Sequence, residues 1–398
     1  MSEWVSYEAI LTEGYRRCAR LTWRYGTTYF WGAALLPKSQ RKHVYAIYAL
    51  CRLADDIVDL PNGQYPAKDQ YPVKDSARAA PVEGPSQSAS LRPEPVEGPP
   101  QPASLRPEPV EGPDPEASTS STDTSAESDP IPAEPDPTLP EPEPTDPSED
   151  RERTVEARLT AYAESFRRSL AGGESTDPVI AAAVHTAITR RIDPECFDRF
   201  FSAMAMDLTK TSYQTWEDLR SYMEGSAAVI GEMMLPVLEP LSQDAKAPAR
   251  SLGLAFQLTN FLRDVDEDLD RGRVYMPQED LRLFDVDLER RELTPEWQAF
   301  LAYEIERNRA LYEFADTGIA MLPRRSARCV GTARVLYAQI LDQIENNGYD
   351  VFSRRARVPT SRKAATAARM MVTGPRALRR RAEAYQRRSI ADVTQDTY

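Results

Sequence analysis

Acidic residues that lie within otherwise apolar helical stretches constrain the fold of this chain more than any other feature of its sequence. In the first stretch, polar residues recur at spacings of three and four, so they share one face of a helix that begins near Gln40. This first stripe consists of Tyr45, Tyr48, Arg52, Asp55 and Asp59. Carboxylates are rarely buried without partners. We therefore expect the stripe to face an internal cavity; an exposed acidic edge, paired through Arg52, is the alternative.

The same pattern returns between Leu252 and Pro277. The polar residues of this second stripe are Gln257, Asn260, Asp264, Asp268 and Arg271. Each stripe thus carries two aspartates four residues apart, whose Cβ atoms lie roughly 6 Å apart on a helix. Two such pairs that face each other across a cavity would repel each other unless cations lay between them.

The residue types around these acids indicate which cation to expect. His43 and His185 are the only histidines, and neither belongs to a metal-ligand pair, so the candidate ligands are carboxylate oxygens, which suit Mg²⁺. Mg²⁺ commonly shares its site with phosphate groups, and arginine binds phosphate oxygens in a bidentate manner. Four arginines are close in sequence to the acids: Arg52, Arg263, Arg271 and Arg273. Because no glycine-rich nucleotide-binding loop accompanies them, we interpret the site as one for a diphosphate ester held through magnesium between helices.

Most of the chain has the residue pattern of an all-α protein. Ala, Leu, Arg and Glu recur at helical spacing, whereas alternating strand patterns are scarce. With 398 residues and 41% hydrophobic content, the chain can bury a sizeable core. Glycine and proline predict helix ends within residues 171–178, 191–195, 238–248 and 321–325.

One internal segment, residues 61–150, differs from the rest in composition. It holds 22 of the 33 prolines, has a net charge of −14, and contains a 14-residue repeat that starts at Ser90 and again at Ser104. Such a segment cannot bury enough apolar surface to offset the entropy of ordering, so we predict a disordered insert. A proline-rich binding motif is the alternative. We also predict that deletion of residues 64–149 preserves folding.

The predicted organisation is a single helical domain interrupted by this insert. The boundaries are 1–60 for the first part of the domain, 61–150 for the insert, 151–355 for the remainder and 356–398 for a basic C-terminal helix or tail. The four cysteines are widely separated and form no CxxC pair, which predicts neither a zinc site nor a disulfide framework. We find no signal peptide and no run of eighteen apolar residues, and we therefore expect a cytoplasmic location.

The two acidic stripes and their surroundings resemble motifs of a known protein family. The stretches "YAIYALCRLADDIVD" and "AFQLTNFLRDVDEDLDRGRVYMP" are similar to the two aspartate-rich motifs of the squalene/phytoene synthase family, the head-to-head prenyl transferases. The resemblance extends to the stretches 28–37, 204–238 and 336–363, in the expected order, and looks most like bacterial phytoene synthases. Family members commonly carry a serine-rich segment before the first motif, where this chain has Thr27 and Thr28.

The resemblance implies a fold and a set of site residues. The fold is an isoprenoid-synthase-type helical bundle with a central cavity. Catalysis and metal binding would belong to Asp55, Asp59, Asp264 and Asp268, which would hold two or three Mg²⁺ ions, with Mn²⁺ as an alternative. Substrate binding would involve Tyr48, Arg52, Tyr222, Gln257, Asn260, Arg263, Arg273 and Tyr337. Asp56 lies about 100° from Asp55 around the helix and is expected to support rather than ligate.

The resemblance also implies a reaction. Two geranylgeranyl diphosphates would be condensed to phytoene, in carotenoid biosynthesis, through a cyclopropylcarbinyl diphosphate, with the small and apolar stretch 225–238 as one wall of the chamber. No nicotinamide cofactor is expected. The alternatives are a thirty-carbon squalene or dehydrosqualene-type product made from farnesyl diphosphate, a chain-elongating synthase or terpene cyclase, and a non-catalytic helical protein that binds isoprenoids at the membrane surface.

The C-terminal region suggests a further partner. Between Arg354 and Arg388 there are 12 Lys and Arg residues and one acid, Glu383. Such a charge predicts peripheral association with the anionic inner face of the cell membrane; a solvated basic tail is the alternative. The expected partners are prenyl diphosphates, anionic membrane and other carotenoid-pathway enzymes, and not nucleic acid.

Overall fold

The computed structural model describes residues 6–59, 147–172 and 174–395. Within these ranges the chain is helical, and the one β-type pairing is an isolated bridge between Ser212 and Val274. The α-helices are α1 (Tyr7–Tyr25), α2 (Thr27–Ala33), α3 (Lys38–Asp59), α4 (Pro147–Gly172), α5 (Pro178–Arg190), α6 (Pro194–Met206), α7 (Trp216–Met223), α8 (Val229–Leu238), α9 (Lys246–Asp270), α10 (Gln278–Leu283), α11 (Pro295–Ala320), α12 (Arg324–Asn346), α13 (Thr360–Thr373) and α14 (Arg376–Gln395). A π-helix, Glu224–Ala228, joins α7 to α8, and two short 3₁₀ helices span Gln243–Ala245 and Leu288–Arg290.

The prediction of an all-α fold is confirmed for the described residues. Two predicted helix ends are also places where the next helix begins with a cap and a proline. The side chains of Asp177 and Asp193 accept hydrogen bonds from backbone N–H groups of the first turns of α5 and α6. Each is followed by proline at the first helical position, where the missing N–H costs nothing.

The predicted insert, residues 61–150, lies almost entirely outside the described residues, and so does the proposed deletion. The helical domain resumes slightly before the predicted residue 151, because α4 begins at Pro147. Proline and acidic residues are common in the first turn of a helix. Composition alone therefore places the resumption of the domain four residues beyond the start of α4.

Helix α3 is buried over most of its circumference. It packs against α1, α4, α5 and α8, and its apolar residues, such as Ala46, Leu50 and Ala54, have no measurable exposure. The polar stripe predicted from the sequence is the part of α3 left for the cavity. Its N-terminal member, Tyr45, departs from that prediction, because its ring stacks on Phe30 at 6.0 Å instead of lining the cavity.

Helix α9 lies against α11, α8, α12 and the π-helix. Two glycines permit the close approach of these backbones. A Cβ atom on Gly253 would lie 2.3 Å from the carbonyl oxygen of Ala227, and one on Gly231 would lie 2.2 Å from that of Ala249. The helix departs from α-helical dihedral angles at Asp264, with φ −106° and ψ 16°.

The last two helices cover the outer side of the bundle. Helix α13 packs on α12 and α2, and α14 packs on α11, where Leu378 and Ala382 are buried. Among the described helices, none is both long enough and apolar enough to cross a bilayer.

Candidate active site

A single cavity of about 1140 Å³ brings the predicted site residues together. Its lining includes both acidic stripes, one from α3 and one from α9, so the interpretation as an exposed acidic edge is wrong. All twelve predicted site residues line it: Asp55, Asp59, Asp264, Asp268, Tyr48, Arg52, Tyr222, Gln257, Asn260, Arg263, Arg273 and Tyr337. Thr28 and Arg271 line it as well. The individual roles of these residues remain predictions.

Three of the four motif aspartates pair with arginines. Arg273, which follows α9, donates to Asp59 on α3 at 2.8 Å and so joins the two motifs. Arg263 donates to its neighbour Asp264 at 2.7 Å, and Arg271 lies 3.6 Å from Asp268.

Arg355, which was not predicted from the sequence, also pairs with a motif aspartate. It donates to Asp264 at 2.9 Å and pairs with Glu267 at 2.9 Å, and all three residues line the cavity. Arg355 lies in the segment between α12 and α13. The second motif is therefore tied to the C-terminal part of the chain.

Asp56 behaves differently from Asp55, as the helical geometry predicts. Asp56 accepts a hydrogen bond from Arg52 at 2.5 Å and is not among the residues that line the cavity. The guanidinium of Arg52 also lies over the ring of Tyr25, 5.0 Å from its centroid. These contacts hold Arg52 at the cavity edge.

Two motif acids lack enough positive charge to stay fully ionised. Burial, together with the neighbouring Asp59, raises the pKa of Asp55 to about 7. Burial and the neighbouring Asp264 likewise raise the pKa of Asp268 to about 7. Both carboxyl groups face like charges in a poorly solvated place, which is where an added cation stabilises most.

The donor chemistry of the cavity fits a hard divalent cation. The available ligands are carboxylate oxygens on two helices, and Mg²⁺ takes such ligands while keeping part of its water shell. Within the described ranges, no three histidine, cysteine, aspartate or glutamate side chains converge as a preformed metal cluster.

A further acid, Asp207, lies at the C-terminal end of α6 and lines the same cavity. Tyr222 donates to it at 2.6 Å and Tyr275 at 3.1 Å. Sequence analysis missed Asp207 because it has no acidic partner one helical turn away. The available signal was one aspartate in the apolar run "FFSAMAMDL".

Aromatic side chains form much of the cavity wall. Tyr29 lies between Tyr48 and Tyr337, with ring centroids 5.7 Å and 5.3 Å away, and Phe256 lies 4.3 Å from Tyr337. Tyr48 and Tyr337 were predicted to line the chamber, whereas Tyr29 and Phe256 were not named. All four line the cavity.

The predicted small-residue wall, 225–238, also lines the cavity. Its contribution comes from Ser226, Ala227, Ile230, Gly231, Met234, Leu235 and Leu238. The first part of this wall is the π-helix, which the sequence did not predict. Two free thiols, Cys51 and Cys329, lie in the lining too, and burial raises the pKa of both, that of Cys329 to about 12. The thiols therefore stay protonated and weakly nucleophilic.

The two histidines lie together outside the cavity lining. The hydroxyl of Tyr15 is 3.2 Å from Nδ1 of His43 and 2.8 Å from Nδ1 of His185, and Thr186 is 2.9 Å from His43. His43 is 2% exposed. This supports the expectation that the histidines are not metal ligands.

The chain is similar in sequence to known proteins over most of its length. A family model for squalene/phytoene synthase matches residues 23–88 and 143–362. A "15-cis-phytoene synthase" of Synechococcus elongatus is 30% identical over 370 residues, which cover 89% of this chain and 91% of that protein. One of Synechocystis sp. is also 30% identical over 370 residues, covering 89% and 83%.

A solved structure shares the fold. A dehydrosqualene synthase in complex with ligand aligns with a TM-score of 0.62 at 20% identity and covers 91% of this chain and 97% of that one. The fold is thus the helical isoprenoid-synthase fold, with aspartate motifs on two helices facing one cavity. The family model and the relatives together show that the chain belongs to the squalene/phytoene synthase family of prenyl transferases.

Proposed function

We propose that the chain condenses two geranylgeranyl diphosphates head to head to phytoene, through a cyclopropylcarbinyl diphosphate, as a step of carotenoid biosynthesis. The observation that carries this proposal is one cavity lined both by the aspartates and arginines of the two motifs and by small apolar and aromatic side chains. At about 1140 Å³ the cavity exceeds the range of roughly 300–1,000 Å³ usual for sites that hold one small ligand. The names of the two cyanobacterial relatives support the forty-carbon product.

The arginines at the rim would bind the diphosphates. Arg52, Arg263 and Arg273 each have several N–H donors, of which their aspartate partners use one or two. The remaining N–H groups can donate hydrogen bonds to phosphate oxygens. Gln257 and Asn260 lie on the same face of α9 and would add neutral hydrogen bonds.

The motif aspartates would hold the divalent ions. Asp55, Asp59, Asp264 and Asp268 are the proposed ligands of two or three Mg²⁺, or of Mn²⁺ in its place. Bound ions would neutralise the negative charge that builds up on the departing diphosphate. The raised pKa values of Asp55 and Asp268 support this assignment, because a nearby cation favours the ionised carboxylates.

The apolar part of the cavity would protect the allylic carbocation. Aromatic faces such as those of Tyr48 and Phe256 attract cations through their quadrupoles. The wall 225–238 offers few nucleophilic groups, and the thiols of Cys51 and Cys329 remain protonated. Exclusion of water prevents the cation from being quenched as an alcohol.

The test is incubation of the purified protein with radiolabelled geranylgeranyl or farnesyl diphosphate and Mg²⁺. A labelled forty-carbon hydrocarbon from the first substrate is expected. A preference for farnesyl diphosphate with a thirty-carbon hydrocarbon would change the substrate, a longer diphosphate would indicate chain elongation, and no turnover would indicate a binding protein.

Substitutions of motif aspartates test the proposed metal ligands, and a neighbouring aspartate serves as the control. Asp55→Asn and Asp264→Asn should each abolish the hydrocarbon product, because each removes a proposed metal ligand. Asp266→Asn should retain it. Asp266 lies on the same helix as Asp264 but pairs with Arg291 away from the cavity.

We further propose that the α13–α14 surface binds anionic membrane peripherally. Its exposed arginines are Arg362, Arg369, Arg376, Arg379, Arg380, Arg381, Arg387 and Arg388. Next to them at the end of α13, Met371 is 56% and Val372 81% exposed. Basic side chains beside exposed apolar ones are typical of surfaces that bind anionic lipid.

Sedimentation with lipid vesicles tests this surface. Binding is expected to vesicles that contain phosphatidylglycerol, to weaken at high salt, and to fall with Val372→Asp or with Arg379→Gln and Arg380→Gln combined. Leu283→Asp, at a leucine on α10 that is 71% exposed, is the control. Equal binding to neutral phosphatidylcholine vesicles, or none to either, would contradict the proposal.

A further inference from the structure

Asp207 is held by two tyrosine hydroxyl groups that approach its two carboxylate oxygens separately. Tyr222 donates to one oxygen at 2.6 Å, and Tyr275 donates to the other at 3.1 Å. The acid is 9% exposed, Tyr222 2% and Tyr275 6%. The three residues come from the end of α6, from α7 and from the loop after α9, so their meeting is a product of the tertiary fold.

The hydrogen bonds indicate the charge state of this acid. A tyrosine hydroxyl donates to each oxygen, and hydrogen bonds of this kind favour the ionised carboxylate. Burial raises the pKa of Asp207, whereas the two tyrosine hydroxyl groups and the nearby Arg273 act in the opposite direction and favour the ionised form. The 2.6 Å bond from Tyr222 is the shorter of the two.

The two tyrosine rings belong to a stack that faces the cavity. Tyr275 lies 4.1 Å from Phe261 with an interplanar angle of 5°, and Tyr222 lies 5.9 Å from Tyr275 with an angle of 22°. Tyr222, Phe261 and Tyr275 all line the cavity. Asp207 also lines the cavity and lies close enough to Asp55 and Asp59 to interact with them electrostatically.

We propose that Asp207 is a positioning residue for the aromatic wall formed by Tyr222, Phe261 and Tyr275. By accepting hydrogen bonds from the hydroxyl groups of Tyr222 and Tyr275, it fixes both rings and increases the electron density on their faces. An electron-rich ring face attracts a carbocation more strongly. This inference rests on the proposed function, since the cation is the one formed when the diphosphate departs. It gives Asp207 a role distinct from that of the proposed metal-binding acids, because its two oxygens accept hydrogen bonds from tyrosines of the aromatic wall.

The kinetic test uses variants that preserve shape. Asp207→Asn and Tyr222→Phe should each lower kcat roughly tenfold, the size expected for one weakened cation–aromatic contact. KM and the Mg²⁺ concentration for half-maximal rate should change less than about twofold, because neither diphosphate nor metal contacts are altered. The double variant should be no slower than the slower single one, since both changes remove the same hydrogen bond. Tyr303→Phe, at an exposed tyrosine on α11, is the control.

Two results would overturn the proposal. One is a rise of more than about tenfold in the half-saturating Mg²⁺ concentration for Asp207→Asn, which would make Asp207 a metal ligand. The other is a double variant whose kcat loss is the product of the two single losses, which would mean that Asp207 and Tyr222 act independently.

A second measurement does not depend on turnover. Thermal unfolding of the same four proteins should show the Asp207–Tyr222 coupling as a non-additive loss of melting temperature, and Tyr275→Phe should couple to Asp207 as well. If the wild-type protein forms no hydrocarbon, the proposed function fails, while this unfolding cycle still measures the coupling. Additive unfolding losses would refute the positioning role by themselves.

Discussion

At the scale of single residues, buried acids differ in whether the protein itself supplies their countercharge. Asp316 is fully buried, but Arg334 donates to both of its oxygens, at 2.7 and 3.0 Å, and so supplies the countercharge. Asp55 faces other acids, and burial together with Asp59 raises its pKa to about 7. The first arrangement is complete within the protein, whereas the second is suited to an added cation.

His43 gives a prediction at this scale. Burial, together with Arg190 and Lys42, lowers the pKa of His43 from its ordinary value of 6.5 to about 3. The folded state therefore favours the neutral ring, so this contribution to stability is present above pH 6.5 and is lost as the pH falls toward 3. We expect the melting temperature to fall between pH 7 and pH 5, and to fall less steeply in His43→Gln.

The matched control for this measurement is the other histidine. His185 is half-buried in the same cluster, and burial lowers its pKa as well. Its replacement by glutamine should reduce the slope less than replacement of His43. An unchanged slope in His43→Gln would show that His43 does not contribute to the acid sensitivity.

At the scale of helices, the approach of α9 to the π-helix and α8 depends on missing side chains. We predict that Gly253→Ala lowers the free energy of unfolding by about 1–3 kcal/mol, because its Cβ atom would meet the carbonyl oxygen of Ala227 at 2.3 Å. Chemical denaturation measures this loss. Gly172→Ala, at the exposed end of α4 with no atom within 4 Å of its Cβ, should be neutral. Equal stability of the two variants would show that the helices separate at little cost.

The sequence predicted the elements that depend on local periodicity. The spacing of Asp55, Asp59, Asp264 and Asp268 identified two helix faces and, correctly, the cavity between them. The same spacing misplaced Tyr45, because a stripe followed over several turns drifts around the helix and its first member reaches the neighbouring core.

Features that depend on distant contacts could not be predicted in this way. The π-helix begins at Glu224, and Glu232 lies on the following helix α8; both acids pair with Arg199 of α6 and Arg250 of α9. Asp207 acquires its role from tyrosines 15 and 68 residues away. No local pattern records either arrangement.

At the scale of the whole molecule, binding at the cavity should stabilise the entire helical bundle, because its walls come from helices throughout the chain. We predict that Mg²⁺ with a thio-diphosphate analogue of geranylgeranyl diphosphate raises the melting temperature. At an analogue concentration 100 times Kd the gain is about 2.7 kcal/mol. A chelator should remove most of this gain.

The same measurement separates the motif acids from their neighbours. Asp264→Asn should lose most of the stabilisation, whereas Asp266→Asn should keep it. A full gain in the presence of the chelator would show that the arginines alone bind the analogue and would contradict the assignment of Asp264 as a metal ligand.

The two thiols in the cavity wall have a practical consequence. Cys51 lies on the helix of the first motif and Cys329 on α12, both without disulfide partners. A small uncharged alkylating reagent would label them slowly, since each thiol remains protonated. Protection from labelling therefore reports whether a prenyl chain occupies the interior, and comparison of Cys51 with Cys329 shows how far along the wall that chain reaches.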